Sequence, residues 1–390
     1  MASLRARISG MIPGAGDVAF NRDRSAALPE SRAPRGGYPP PMFADRPPHI
    51  VVVPIEGPHF PDWRPGTRNF YYEAHQSARE SLGDSAVSVL DVAPGEPHST
   101  WIHRLEDLLH DVRATHVLTH IEHDPGSADT WHWDVAWNRI APRWDGVLMG
   151  VMFDSAFDLV TMKTRRLARM SPNFLAVDIC MPIDGVLVRN RSEVGPVTMP
   201  VSRQSLKLVR ERLAGQVLEH DVSFIGALYP YRIELIEQLR AQGVDVAVNP
   251  HRHDATHDFQ SSRANQPEWL DYMAGLASSK VTVNFSRSSA GGFEQLKTRV
   301  IEATLAGTFL LTDDRERTSL FYTPDVEFGH FESVSQLPSV IGNWLEDDTA
   351  RRSGAHMAQT KAETIATTDF WARVDDGLAR RSLPKVVEVR

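Results

Sequence analysis

Apolar residues along this chain fall into short, β-branched runs separated by longer stretches with a period near 3.6. Residues 49–55 (HIVVVPI), 86–92, 115–121 (THVLTHI), 146–153 (GVLMGVMF) and 174–179 read as strands, with 186–188 as a sixth. The first and fourth are apolar enough to be buried on both faces, as in a parallel sheet. Residues 68–82, 101–113, 131–140 and 157–170 carry helical spacing. In the second of these, Ile102, Leu105, Leu108, Leu109 and Val112 share one face. A helix in every gap predicts a parallel sheet with helices on both sides.

Residues 193–203 carry Gly195, Pro196 and Pro200 and read as a crossing between domains. A second series follows, with strands at 221–225, 244–248, 281–285 and 308–312 and helices at 231–242 and 267–277. Beyond it lie a helix near 318–321, a short strand near 326–328, a helix over 334–345 around Pro338, and a long closing helix over 350–378. The expected fold class is α/β, two doubly wound Rossmann-like domains facing a cleft. The expected parts are an irregular arm (1–47) rich in Pro, Arg, Gly and Ala, a first α/β domain (48–200), a second (201–355), and a C-terminal helix packing back towards the first domain (356–390).

Composition narrows the function classes. The chain has 390 residues, 42% hydrophobic and 24% charged, which is ordinary for a globular protein. Its 42 basic against 50 acidic residues leave a net charge of −8, so a strong nucleic-acid footprint is not indicated. The cluster of Lys163, Arg165, Arg166 and Arg169 reads as a solvated helix face. The single cysteine, Cys180, excludes an internal disulfide and a cysteine-based zinc site, and its apolar run marks it as core. No run approaches the ~18 apolar residues of a membrane span, and no secretory leader stands at the start, so a cytoplasmic protein is expected.

The most informative stretch is residues 291–314, GGFEQLKTRVIEATLAGTFLLTDD, read as a glycine turn, a helix, a glycine stop and a buried strand. Helical spacing puts Glu294, Thr298 and Glu302 near one face and Leu296, Val300, Ala303 and Gly307 on another. The acidic face, with Lys297 and Arg299 beside it, is expected to be open to a ligand. A carboxylate can hold two vicinal sugar hydroxyls, and cations at a helix start can hold a diphosphate. The competing reading is an exposed face that only keeps the helix solvated.

In the first half, His116, His120 and His123 lie around the end of the third strand, with Glu122 and Asp124 alongside; Asp154 follows the fourth. Ligands sit at the carboxyl ends of parallel strands, so His120 and Asp154 are candidate catalytic groups, against the alternative of turn and capping residues. Zinc through His116, His120, His123 and His132, or through His251, His253 and His257, fits the spacing poorly, and no metal site is expected. The aromatic loop 60–72 (FPDWRPGTRNFYY) could stack on a sugar or base or simply pack. No G-x-S-x-G surrounds a serine, and no G-x-G-x-x-G follows the first strand, which disfavours a serine hydrolase and a nicotinamide enzyme.

Four stretches resemble the CgeB-like (spore-protein-type) glycosyltransferases of the GT-B superfamily: residues 221–239 (DVSFIGALYPYRIELIEQL), 272–292, 297–314, and FGHFESVSQLPSVIGNWLEDDTARR from Phe328. The matching residues are Phe224, Ile225, Gly226 and Arg232; Asn284, Phe285 and Ser286; and Arg299, Glu302, Ala303, Gly307 and Leu310 to Asp313. The resemblance implies a hexosyltransferase-like enzyme that uses a nucleotide-sugar donor as co-substrate and needs no bound metal. The second domain would hold the donor. Glu302 would take the ribose hydroxyls, and Gly226, Arg232, Asn284, Ser286, Lys297 and Arg299 would line the rest of its site. Glu294 matches the earlier glutamate of the E-x7-E pair of retaining enzymes, although Gln295, Leu296 and Lys297 follow it where those enzymes show Gly-Phe-Gly. The first domain would bind an acceptor: a small molecule, glycan, protein or nucleobase. A non-catalytic GT-B-derived binding protein and, further off, a metal-dependent hydrolase are the alternatives; a homo-oligomer stays open.

Overall fold

The computed structural model describes residues 46–54, 62–93, 95–121, 133–153, 155, 158–180, 192–250, 268–287 and 293–387. The expected arm up to residue 45, the strand at 186–188, Asp154, His123 and the histidines at 132, 251, 253 and 257 lie outside them.

The first sheet contains β1 (Ile50–Val53), β2 (Val87–Val89), β3 (His116–His120), β4 (Val147–Met152), β5 (Phe174–Asp178) and β6 (Glu193–Val194). They run in the order β2-β1-β3-β4-β5-β6, all neighbours parallel. Its helices are α1 (Phe70–Leu82), α2 (His98–Asp111), α3 (Trp133–Ile140) and α4 (Asp158–Met170). β1 shows why every position is apolar. Ile50 and Val52 pack with Phe70 and Ala74 of α1 in one core, whereas Val51 and Val53 pack with Trp101 and Leu105 of α2 in another. On α4 the basic residues divide: Lys163 is buried, contrary to the expectation of a solvated cluster, while Arg165, Arg166 and Arg169 are exposed.

The second half contains α5 (Arg203–Leu213), β7 (His220–Phe224), α6 (Pro230–Ala241), β8 (Val246–Val248), α7 (Trp269–Ala277), β9 (Ser279–Asn284), α8 (Thr298–Leu305), β10 (Phe309–Thr312), β11 (Gly329–His330) and α9 (Leu337–Glu346). Its five strands are ordered β11-β10-β9-β7-β8 and are also parallel. In this sheet the chain reverses direction of growth between β7 and β9, and in the first sheet between β1 and β3. A crevice opens at such points, outside the carboxyl ends of the strands.

Two stretches depart from the sequence expectation. The crossing at 193–203 begins with β6, whose Glu193 and Val194 pair with Ala176 and Val177. It ends at α5, a helix the sequence reading passed over. Ser202 caps α5 by accepting from the Ser205 N–H, and Leu206 and Val209 give it a buried edge. Glu73 on α1 accepts from the Ser202 N–H at 2.7 Å and from the Ser205 hydroxyl at 2.5 Å, which ties α5 to the first half.

The closing helix, α10 (Asp348–Arg380), has 33 residues and is roughly 50 Å long at 1.5 Å per residue. Its first part lays Ala358, Ala362 and Ala366 on the core beside α8, and its last part lays Phe370, Trp371, Val374 and Leu378 on the core of the first sheet. Small residues let it approach closely: a Cβ on Gly354 would stand 2.3 Å from the Val326 carbonyl oxygen. No helix among the described residues is long and apolar enough to cross a membrane.

Two outcomes follow from this packing. Gly354→Val should destabilise the protein by about 1–3 kcal/mol, read from the urea midpoint, because backbone rather than a movable side chain blocks the added group. The second concerns His116, fully buried in β3 with its Nε2 3.0 Å from the Pro384 carbonyl oxygen. Burial holds its ring down at about 4, against an ordinary 6.5. Stability is complete above the ordinary value and is lost as pH falls, because the unfolded chain takes the proton first. Between about pH 7 and about pH 5, wild type should therefore lose more unfolding free energy than His116→Gln.

Candidate functional site

Three basic side chains converge on the β7–β9 switch point. Arg232, in the first turn of α6, is 3% exposed and lies over the rings of Phe224, Tyr229 and Tyr231 at 5.7, 4.8 and 5.5 Å. It donates through Nη1 to the Ala227 carbonyl at 3.0 Å and through Nε to the Tyr231 hydroxyl at 2.8 Å. Arg299, in the first turn of α8, lies over the same Phe224 ring at 5.1 Å and donates to the Asn284 Oδ1 at 3.1 Å. Lys297 is the N-cap residue of α8.

No carboxylate pairs with any of these three among the described residues. The Nε of Arg299 is buried without a hydrogen-bond partner. Burial, followed by repulsion from Arg299, lowers the Arg232 guanidinium from its ordinary range. Burial brings the Lys297 ammonium down to about 8, with Arg232 and Arg299 repelling it. Buried cations without counter-charge are costly, and a bound anion would relieve that cost.

Gly226 makes this arrangement possible. It sits at φ 148°, and a Cβ there would lie 1.8 Å from the Nη2 of Arg299. Asn249 holds the turn, accepting from the Gly226 N–H at 2.8 Å and donating to its carbonyl at 3.2 Å.

Behind Arg299 runs a buried polar chain that sequence reasoning missed. The amide of Asn284 donates to Glu316 Oε1 at 3.2 Å, so its oxygen is turned to Arg299. The same Oε1 accepts from the hydroxyls of Thr312 at 2.5 Å and Thr318 at 2.7 Å. Burial and the neighbouring Asp313 push the Glu316 carboxyl up to about 7. No periodicity marks Glu316, which lies in the loop after β10.

Glu302 is not on an open face. It is 7% exposed, and its Oε1 accepts from Trp269 Nε1 at 3.3 Å and lies 2.8 Å from Arg68 Nε. Its Oε2 accepts from the Tyr272 hydroxyl at 3.1 Å. Burial, with the charge of Glu302 next, pushes the Tyr272 phenol above its ordinary range and keeps it a donor. A mostly apolar recess opens beside this cluster, lined by Arg68, Val201, Trp269, Leu296, Lys297 and Leu305 among others.

Glu294 departs from the expected helix. α8 begins only at Thr298, because Lys297 is extended (φ −101°, ψ 136°) and the preceding segment pairs with residues 286–287. Glu294 forms an antiparallel bridge with Arg287, and the Gln295 N–H donates to the Ser286 carbonyl at 3.3 Å. The Glu294 carboxylate accepts from the Ser286 hydroxyl and lies 3.8 Å from Arg315. Glu294 and Glu302 therefore do not share one helical face. The first half places His120 at the end of β3, 2% exposed, with its ring 5.7 Å from that of Phe153. Among the described residues no three His, Cys, Asp or Glu side chains gather where they could hold a metal ion.

Lys297 offers a direct check. Near pH 8 about half of its ammonium is neutral, against well under 1% for an ordinary lysine. Competitive acylation read by mass spectrometry should label Lys297 ahead of the exposed Lys207 at that pH, and inorganic pyrophosphate should suppress the difference.

No curated protein sequence matches the chain. Residues 232–375 match a family described as glycosyl transferase-like. Among solved structures, a sucrose-phosphate synthase from Thermosynechococcus elongatus superposes with a TM-score of 0.52 at 12% identity, over 86% of this chain and 98% of that one. HepE from Anabaena, solved in complex with UDP, gives a TM-score of 0.49 at 12% identity, over 85% of this chain and 99% of that one. The chain thus has the α/β fold of the GT-B glycosyltransferases, with two parallel sheets, and its second half carries the sequence pattern of a glycosyl transferase-like family.

Proposed function

We propose that this protein is a CgeB-like glycosyltransferase that moves a sugar from a nucleotide-sugar donor to an acceptor hydroxyl or amine, with the donor bound by the second half of the chain. The observation that carries the reading is the gathering of Arg232, Lys297 and Arg299 at the β7–β9 switch point with no carboxylate ion-paired to them among the described residues. A diphosphate is the anion that fits: it brings the missing negative charge and offers oxygens to a planar guanidinium. It is also the leaving group of sugar transfer, so the cations that bind it stabilise the charge that develops as the glycosidic bond breaks. No bound metal is needed for that task in this reading.

Glu302, one turn into α8 from the cations, takes the ribose diol. Gly226 lets Arg299 reach the diphosphate, while Asn284 and Ser286 at the end of β9 hold the surrounding turn. The acceptor lies against the carboxyl edge of the first sheet, where His120 is the candidate base; Asp154, two positions past β4 in the sequence, is the other candidate. Glu294, tied to Ser286 and Arg315, shapes the donor-side loop.

Titration calorimetry with UDP, GDP and dTDP tests the donor site. At least one should bind, and 2′-deoxy-UDP should bind more weakly than UDP. Glu302→Ala should weaken the bound nucleotide by more than about tenfold, the scale of a charge-assisted hydrogen-bonded pair. Absence of binding by all of them would remove the donor site. Slow hydrolysis of a nucleotide sugar in water, coupled to nucleotide binding, separates a transferase from a non-catalytic relative.

A further inference from the structure

We propose that Arg68 is a donor-binding residue supplied by the first half of the chain, and that it exchanges Glu302 for the donor's diphosphate when a nucleotide enters; this rests on the donor site proposed above. Arg68 belongs to the connection between β1 and α1, yet that connection is fastened to the second half. Arg64 pairs with Glu268 at 2.8 Å, the Gly66 N–H donates to the Ser205 hydroxyl at 3.0 Å, and Arg68 Nε meets Glu302 Oε1 at 2.8 Å. Arg68 also donates to the Thr298 hydroxyl in the first turn of α8.

The backbone singles Arg68 out. It is held at φ 63°, a left-handed conformation that costs a non-glycine residue of the order of 1 kcal/mol. The next residue, Asn69, caps α1 by accepting from the N–H groups of Tyr71 and Tyr72. The cap fixes where the helix starts, and the left-handed residue before it projects across to α8. The guanidinium therefore stands at the first turn of α8, beside Glu302 and in the recess that Lys297 also lines.

The lone pairs of Glu302 decide which contact gives way. A carboxylate offers about four acceptor sites, and Arg68, Trp269 and Tyr272 use three. A ribose diol needs two, so one present partner must leave. Trp269 is 5% exposed and packed in the core beside α8. The Arg68 side chain is 38% exposed; besides Glu302 and Thr298 it meets the face of the Tyr272 ring, 5.8 Å away, and it is not packed into a core. Arg68 is the partner that can move, and the anion that arrives with the ribose is the one that can receive it. The charge count stays balanced, because one pair replaces another.

Calorimetry on the full chain separates this from a purely structural tie, using the matched probes uridine and UDP, and guanosine and GDP. Arg68→Ala should bind the nucleoside about threefold or more tightly, since Glu302 no longer has to release a cation, and the diphosphate about tenfold less tightly. Arg68→Lys should recover part of the diphosphate affinity. Arg64→Ala removes another anchor of the same loop and should leave both affinities unchanged. If wild type binds a diphosphate and Arg68→Ala leaves it unchanged, or shifts nucleoside and diphosphate in the same direction, the exchange is wrong while the donor site stands. If wild type binds no nucleoside diphosphate, both fall together.

Discussion

The site depends on the burial of two guanidinium groups against one phenyl ring. Arg232 and Arg299 both lie over Phe224, and neither meets a carboxylate among the described residues. Like charges in a dry environment repel, so the fold must hold them together by other means. Arg232 gives its protons to backbone carbonyls and to Tyr231, and Arg299 to the oxygen of Asn284. The negative charge nearest along that chain, Glu316, acts through Asn284 and does not touch the arginine. What results is a positive site whose two guanidinium groups are held in place before any anion arrives.

The same logic explains where the two halves touch. Charge and hydrogen-bonding groups from the first half fill acceptor sites in the second: Arg68 on Glu302, Arg64 on Glu268, and the α5 N-terminus on Glu73 in the reverse sense. Apolar attachment is left to α10, which belongs to both cores. The polar contacts lie beside the candidate donor site, and the large apolar contact lies along α10. A change in the polar set can therefore accompany ligand binding while the helix keeps the halves joined.

The rhythm of strands and helices was legible because parallel strands buried on both faces leave uninterrupted apolar runs, and because helices in the gaps keep a 3.6-residue period. α5 escaped because its polar face is long and its apolar edge short: Leu206 and Val209 are its buried hydrophobics, and its neighbours Arg203, Lys207, Arg210 and Arg212 are basic. The helical reading of Glu294 failed for a related reason. Helical spacing fits residues 294–302, but the ladder formed with residues 286–287 satisfies that backbone first, and the helix starts at Thr298.

Sequence alone determined the alternation of strands and helices apart from β6 and α5, the cations at the start of α8 and the turn at Gly226, because these depend on local pattern and on residues adjacent in the chain. The tertiary structure decided the partners. Arg68 is 234 residues from Glu302, and the pairing of these two could not be read from spacing at either end. Glu316 reaches Asn284 across two neighbouring strands, β9 and β10, whose register is fixed only when the sheet forms. A carboxylate's role is set by the donors around it, and those donors are brought together only by packing.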